Sequence, residues 1–276
     1  MNRVQNNNNL IRMKRIKPRS GVQVMSASIR ALFFRELQTR FGQYRLGYLW
    51  IFLEPLLTIG VLLVLFGAIM NKILPGIDYV IFLVNGIIPF FLFRTGITQA
   101  MSAVRANQGL FSYKPVKPLD AVLARNCMEF LLKFIAYLSF SVALFWLGFE
   151  ISFSHLPELI MYWIVLFFFM FGMSLIFMVI ADFSKEIEKF LTVLFLVLYL
   201  LSGVLYSIHI IAPTYRVYLL WNPLIHIFEL MRHAISPTYS LVTGINLNYV
   251  MCWVLVSLFI GLLLYKRFEK RLVRSK

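Results

Sequence analysis

Six apolar runs, each near the ~20 residues a helix needs to cross a bilayer, divide this chain and leave few folds open to it. They lie near 50–70, 80–103, 121–147, 158–181, 188–206 and 247–265. Inside lipid every backbone N–H and C=O must find a partner within the protein, so the expected fold class is an all-α membrane protein. Hydrophobic residues make up 60% of the chain and charged residues only 14%, against ~45–50% and ~25% in soluble domains. The formal charge of +15 would suit a nucleic-acid binder, but the cations sit in flanks and loops beside the spans. Membrane topology accounts for them, and no nucleic-acid partner is expected.

Orientation follows from counting cations. If the N-terminus is inside, the inner segments carry twenty-two Lys and Arg and the outer ones three, Lys72, Arg216 and Arg232. Both termini are therefore expected in the cytoplasm. Residues 1–20 read as a disordered basic cytoplasmic tail, with no apolar run directly after the charges that would make a secretory signal, and 266–276 as a second basic tail. Between 21 and 46, Val22, Met25, Ile29, Leu32, Phe33, Leu37 and Phe41 recur at three-to-four spacing, with Ser26, Arg30, Glu36 and Arg40 between them. That pattern predicts an amphipathic helix in the membrane plane among the inner headgroups; packing against a soluble partner is the competing reading. Residues 47–265 form the transmembrane domain.

Two connections stand out. Ala106 to Asp120, A-N-Q-G-L-F-S-Y-K-P-V-K-P-L-D, is expected as a polar, proline-bracketed cytoplasmic loop that serves as a contact surface. Ser207 to Asn246 is a long outer connection in which Asn222 before Pro223 signals a helix start. Being apolar yet too short to span, that helix is expected to dip into the membrane from outside.

Ionisable residues in the spans are candidates for function. Glu54 lies one step inside, with Arg45 as its nearest candidate partner. Arg94 and Lys133 are the deepest cations and either line a conduit for an anionic cargo or belong to a structural row, since Glu129 precedes Lys133 by four residues and Arg125 precedes Glu129 by four. His226, Glu229 and His233 share one helical face, but a Glu229–Arg232 pair is expected there rather than a metal. Cys127 and Cys252 read as small core residues. Tyr137, Trp146, Tyr162, Trp163, Tyr199 and Tyr206 are candidates for stacking on sugar rings. No G-x-x-x-x-G-K-[ST] phosphate loop occurs, so any ATP-driven motor must be another chain, and no cofactor is expected in this one. Beyond the 226–233 face the acidic residues form no cluster suited to catalysis, which leaves a membrane glycosyl- or acyltransferase as a remote alternative.

R-E-L-Q-T-R-F-G-Q-Y-R-L-G-Y-L-W-I-F-L-E-P-L at Arg35 to Leu56, the 106–120 segment, and L-W-N-P-L-I-H-I-F-E-L-M-R at Leu220 to Arg232 resemble the membrane subunit of capsular-polysaccharide ABC exporters, the KpsM-type permeases of the type-2 ABC transporter family. The resemblance runs from about Gly21 to Tyr265. It implies a homodimer of six-span permeases with a reentrant periplasmic hairpin between helices five and six, joined to two copies of a separate ATPase that binds ATP and Mg. The complex would move lipid-linked capsular polysaccharide across the inner membrane of a Gram-negative bacterium, with a periplasmic co-polymerase and an outer-membrane channel completing the route. An exporter of O-antigen, teichoic acid or a small molecule would keep this architecture. The resemblance also implies an ATPase-coupling helix in 106–120, with Asn107, Gln108, Gly109, Leu110, Phe111, Tyr113 and Lys117 as contacts and Pro115 and Pro118 fixing the exit angle. Arg35, Glu36, Arg40 and Arg45 would meet the ATPase or membrane lipids, and Gly47 and Trp50 mark the bend into the first span. Trp221, Asn222, Pro223, Glu229 and Arg232 would shape the periplasmic exit.

Overall fold

The structure, a computed structural model, describes residues 20–41, 49–74, 76–111, 116–184 and 186–273. Among them are nine α-helices: α1 (Gly21–Phe41), α2 (Trp50–Ile73), α3 (Tyr79–Phe111), α4 (Pro118–Trp146), α5 (Leu156–Phe183), α6 (Glu186–Leu201), α7 (Pro213–Leu219), α8 (Pro223–Ile235) and α9 (Leu247–Val273). Of the expected segments, 1–19 and 274–276 fall outside the described residues, as do the Arg40 and Leu110 side chains and Arg45, Gly47, Tyr113 and Pro115.

Five helices, α2, α3, α4, α5 and α9, are long and apolar enough to cross a membrane. The expected fifth span, 188–206, is shorter: α6 has 16 residues, about 24 Å at ~1.5 Å per residue, against a hydrocarbon core of ~30 Å. Its helix ends because Gly203 takes φ +63, a left-handed conformation that glycine adopts without a β-carbon clash. The freed Gly203 carbonyl accepts Arg232 Nη2 at 2.8 Å, so the chain leaves the helix to meet a buried arginine.

The 106–120 segment corrects in the opposite sense. It is not a loop throughout, because α3 continues to Phe111 before the connection that ends where α4 starts at Pro118. Nothing from Ala106 to Phe111 forbids a helix; Gly109 alone costs about 1 kcal/mol, and the first proline comes at 115. Asn107 Nδ2 donates to Ala103 O at 2.8 Å within that extension. At the start of α4 the Asp120 carboxylate accepts the Lys117 N–H at 3.1 Å, one half of a capping box.

α3 is the buried axis, with Phe82, Leu83, Ile87, Ile88 and Leu92 sealed from the surface. α2 and α9 form the periphery, where Val61, Val64, Leu65, Phe259 and Leu263 are exposed and suited to lipid tails. Cys252 is exposed on α9 and Cys127 is partly buried; α9 turns most of its surface outward, so Cys252 is not the core residue its sequence position suggests. α1 lies across the bundle end formed by α3 and α4, with Leu32 buried in a cluster with Ala100, Ala103, Val104 and Ala121. At the opposite end α8 is buried along almost its whole length against α3, α5 and α9.

The α5–α9 seam depends on missing side chains. A β-carbon on Gly261 would come within 2.8 Å of Gly172 O, and one on Gly172 within 2.5 Å of Ser257 Oγ, the close approach that small residues permit between membrane helices. Gly261→Ala should therefore destabilise the protein by about 1–3 kcal/mol, the usual range for overpacking. Gly60→Ala, whose added carbon meets nothing within 4 Å, should not. Thermal unfolding of the detergent-purified variants, read by the loss of the monodisperse chromatographic peak, compares the two.

Candidate functional site

Charged side chains gather at three levels of the bundle. At the middle level Glu54 from α2 meets Arg94 from α3 and Lys133 from α4: Oε1 accepts Arg94 Nη2 at 2.8 Å and Oε2 accepts Lys133 Nζ at 3.2 Å. One carboxylate thus holds two cations, and the trio carries a formal +1. The Phe91 ring lies 4.7 Å from the Arg94 guanidinium and 5.5 Å from the Lys133 ammonium, distances at which a ring face attracts a cation. Glu54's cationic partners come from 40 and 79 residues onward, whereas Arg45, the expected partner, lies outside the described residues. Glu129 is buried one turn before Lys133 on α4.

The two deep cations differ in access. The Lys133 side chain is 5% exposed and the Arg94 side chain 37%. Arg94 lines a cleft of about 600 Å³ between α2, α3 and α6, together with Thr58, Phe90, Thr98, Thr192 and Tyr199. Among the aromatic candidates, Tyr199 faces this cleft. Tyr137 and Trp163 are buried with rings 4.9 Å apart, and Tyr137 OH donates to Asn85 Oδ1 at 2.8 Å. Trp146 is 84% exposed at the far end of α4.

At the α1 end, Arg125 is the hub. Its Nε and Nη2 donate to Glu36 Oε1 at 3.0 and 2.9 Å, and its Nη1 to Gln99 O at 2.9 Å and Ser102 Oγ at 2.8 Å. The sequence row placed Arg125 beside Glu129, but its guanidinium turns to α1, 89 residues away in sequence. Arg35 adds a hydrogen bond to Asn107 Oδ1. Nearby, Arg105 pairs with Glu188 at 2.9 Å, Arg271 with Asp182 at 2.9 Å and Lys117 with Glu269 at 3.7 Å. Of the expected coupling residues, Asn107, Phe111 and Pro118 are buried and Gln108 is half-buried, while Gly109 and Lys117 are exposed. Asn107 turns inward because its amide is claimed by Arg35 and Ala103, which leaves Gly109 and Lys117 as the exposed members of the expected set among the described residues.

At the α8 end, Arg232 is fully buried. It donates to Glu229 Oε1 through Nη1 at 2.8 Å and to Gly203 O, and lies 3.4 Å over the Phe82 ring. Tyr239 OH donates to the second Glu229 oxygen at 2.9 Å, and burial with that neighbouring carboxylate pushes its phenol pKa up, keeping it a donor. A β-carbon on Gly86 would meet Arg232 Nη2 at 2.8 Å, so α3 must offer glycine there. The face that resembles metal ligands is already engaged. His226 Nδ1 accepts the Asn246 N–H at 3.0 Å and Nε2 lies 2.8 Å from Leu220 O, the neutral tautomer with its proton on Nε2. His233 Nδ1 lies 2.7 Å from Tyr239 O. Asn222 caps α8 by accepting the Leu224 N–H at 3.0 Å, and Trp221 is exposed beside it. The sequence does not mark Tyr239 or Gly203 as partners of this ion pair, because nothing in a short stretch singles out a loop hydroxyl or carbonyl as the partner of a charge elsewhere.

Residues 27–236 match the family described as ABC-2 type transporter. The chain is 41% identical over 257 residues to the polysialic acid transport protein KpsM of Escherichia coli, covering 93% of this chain and 99% of that protein. It is 28% identical to the capsule polysaccharide export inner-membrane protein CtrC of Neisseria meningitidis serogroup B, covering 88% and 91%. It is 24% identical to the O-antigen export system permease protein RfbA of Klebsiella pneumoniae, covering 86% and 90%.

Removing the charge of Arg232 strands a buried carboxylate, so Arg232→Met should destabilise by about 3–5 kcal/mol and lower membrane abundance. The double variant with Glu229→Gln should recover part of that loss, a non-additivity that abundance and unfolding temperature would reveal. Burial lowers the pKa of His226, with the bond to Leu220 acting the other way. The stabilising contribution of a depressed histidine is complete above the unfolded value of ~6.5 and declines as pH falls toward the folded value. The unfolding temperature should therefore drop as pH falls below ~6.5, and His226→Gln should flatten that part of the profile.

Proposed function

The chain belongs to the ABC-2 type transporter family, and from that premise we propose that it is the permease subunit of an exporter that carries lipid-linked capsular polysaccharide across a bacterial inner membrane. The near full-length likeness to a polysialic acid transport protein at 41% identity carries this reading. The O-antigen permease relative, at 24%, supports the alternative cargo less. ATP and Mg are bound by two copies of a separate ATPase, since this chain has no phosphate loop. A second copy of the chain completes the pathway, and a periplasmic co-polymerase and an outer-membrane channel receive the product.

In this reading both termini are cytoplasmic, in keeping with the cation count. α6 and the buried stretch after Ser202 together make the fifth of six crossings, and α7 and α8 form the hairpin that enters the membrane from the periplasm. α1 rests among the inner headgroups through the exposed Val22, Met25 and Phe34. The ATPase seats against Gln108, Gly109 and Lys117. Force received there passes into α3 and α4, which the Arg125–Glu36 and Arg35–Asn107 links tie to α1. Arg94 faces the conduit, Lys133 and Glu129 support it from within α4, and Trp221, Asn222, Pro223, Glu229 and Arg232 frame the exit.

Gly109→Asp together with Lys117→Glu should abolish surface capsule in a strain lacking its own permease while leaving membrane abundance unchanged. Both positions are exposed, so the bundle does not depend on them. Normal capsule staining at normal abundance would remove this elbow from the coupling path. The purified chain by itself should release no phosphate from ATP, and release above a protein-free control would place the motor in this chain.

A further inference from the structure

The cleft between α2, α3 and α6 joins an accessible cation to an uncommitted hydroxyl. Among the described residues Arg94, with five N–H donors, commits one nitrogen, Nη2, to Glu54. Three threonines of the lining have spent their protons on backbone: Thr58 Oγ1 donates to Glu54 O, Thr98 Oγ1 to Arg94 O and Thr192 Oγ1 to Glu188 O. Tyr199 differs from them. Its hydroxyl is buried with no hydrogen-bond partner among the described residues, although a buried polar group without one is uncommon and costly. Its ring packs against Phe90 at 5.1 Å. A guanidinium and a free O–H donor in a cleft with mainly apolar walls match a carboxylate or phosphate, which only accepts, and the low local dielectric strengthens both bonds.

Glu54 already holds the position such a ligand would take on Arg94. It is tethered to Lys133 through its other oxygen, so Arg94 can turn to an incoming anion without leaving the carboxylate unpaired. We infer that this cleft is an anion-binding site for acidic groups of the cargo, with Arg94 and Tyr199 as its donors and Glu54 as the internal anion that the cargo displaces. A neutral glycan offers Arg94 nothing to replace Glu54, so the device selects acidic cargo. The inference rests on the permease reading above and adds to it the residues that meet the acidic groups and the internal carboxylate those groups displace. Sugar carboxylates and the phosphate of a lipid anchor present the same chemistry, and probes that carry one without the other separate them.

The full chain in nanodiscs would be titrated with fluorescein-labelled oligosialic acid, with lysophosphatidic acid, and with a neutral dextran oligomer. The wild type should bind at least one acidic probe and bind dextran far more weakly; the acidic probe that binds identifies the source. Arg94→Gln should weaken that probe about tenfold or more and Tyr199→Phe about threefold or more, as the loss of a charged and of a neutral donor to the anion implies. Glu54→Gln should tighten it by removing the competitor. Tyr199→Phe deletes only an unpartnered hydroxyl, so it tests the site even if Arg94→Gln fails to fold. Wild-type affinity for the acidic probes in Tyr199→Phe and Glu54→Gln, or equal binding of dextran, overturns the site. Surface capsule in a complemented permease-deletion strain separates the two readings. If the wild-type chain restores capsule while the variants bind normally, only the anion site fails; if it restores none, the export reading fails.

Discussion

A charge surrounded by helix and lipid must be paired inside the protein, and the Glu229–Arg232 pair imposes that demand on a whole end of the molecule. Both residues are sealed from the surface, and neither would tolerate losing the other. The guanidinium needs a second acceptor, so α6 stops and Gly203 turns left-handed to provide a carbonyl. It needs room, so α3 carries Gly86 beneath it. The carboxylate needs a second donor, so the chain after α8 folds Tyr239 back onto it. The shortness of α6 and the burial of α8 both follow from placing one ion pair.

The three charged levels differ in how far they are closed. Glu229 and Arg232 are inaccessible, and both Glu229 oxygens and both terminal Arg232 nitrogens are hydrogen-bonded, which suits a rigid frame. Glu54, Arg94 and Lys133 combine a sealed cation with an accessible one around a single carboxylate, an arrangement that can exchange partners. At the α1 end, a closed node at Arg125 lies beneath exposed pairs such as Lys117–Glu269. Exposed pairs contribute little to stability, ~0–1 kcal/mol, so they can be exchanged for contacts with another chain. The three levels thus run from closed at the α8 end, through a shared carboxylate in the middle, to exposed pairs at the α1 end.

Much of this was legible beforehand. The apolar runs gave the all-helical membrane class, because lipid admits so few ways to satisfy a backbone. Asn222 before Pro223 gave the start of α8, since a cap acts over three residues and needs no distant partner. The segment around 106–120 was legible only in part: its composition marks the polarity of the elbow, but α3 runs on through Asn107 and Gln108. A single glycine does not end a helix that neighbouring packing supports, and here Arg35 and Leu32 of α1 supply that support.

Charge partners and faces were decided by the tertiary structure. Arg125 faced Glu129 by helical spacing yet turns to Glu36, and Tyr137 and Trp163 proved to be core while Tyr199 faces a cleft. Periodicity and capping are local, with energies set within one or two turns, so the sequence by itself determined which segments are helical and apolar. An ion pair across 40 to 89 residues, or a tyrosine's choice between core and cleft, depends on how helices rotate and cross. That rotation is fixed by the sum of many close contacts, such as Gly172 against Gly261, which no short stretch of sequence contains.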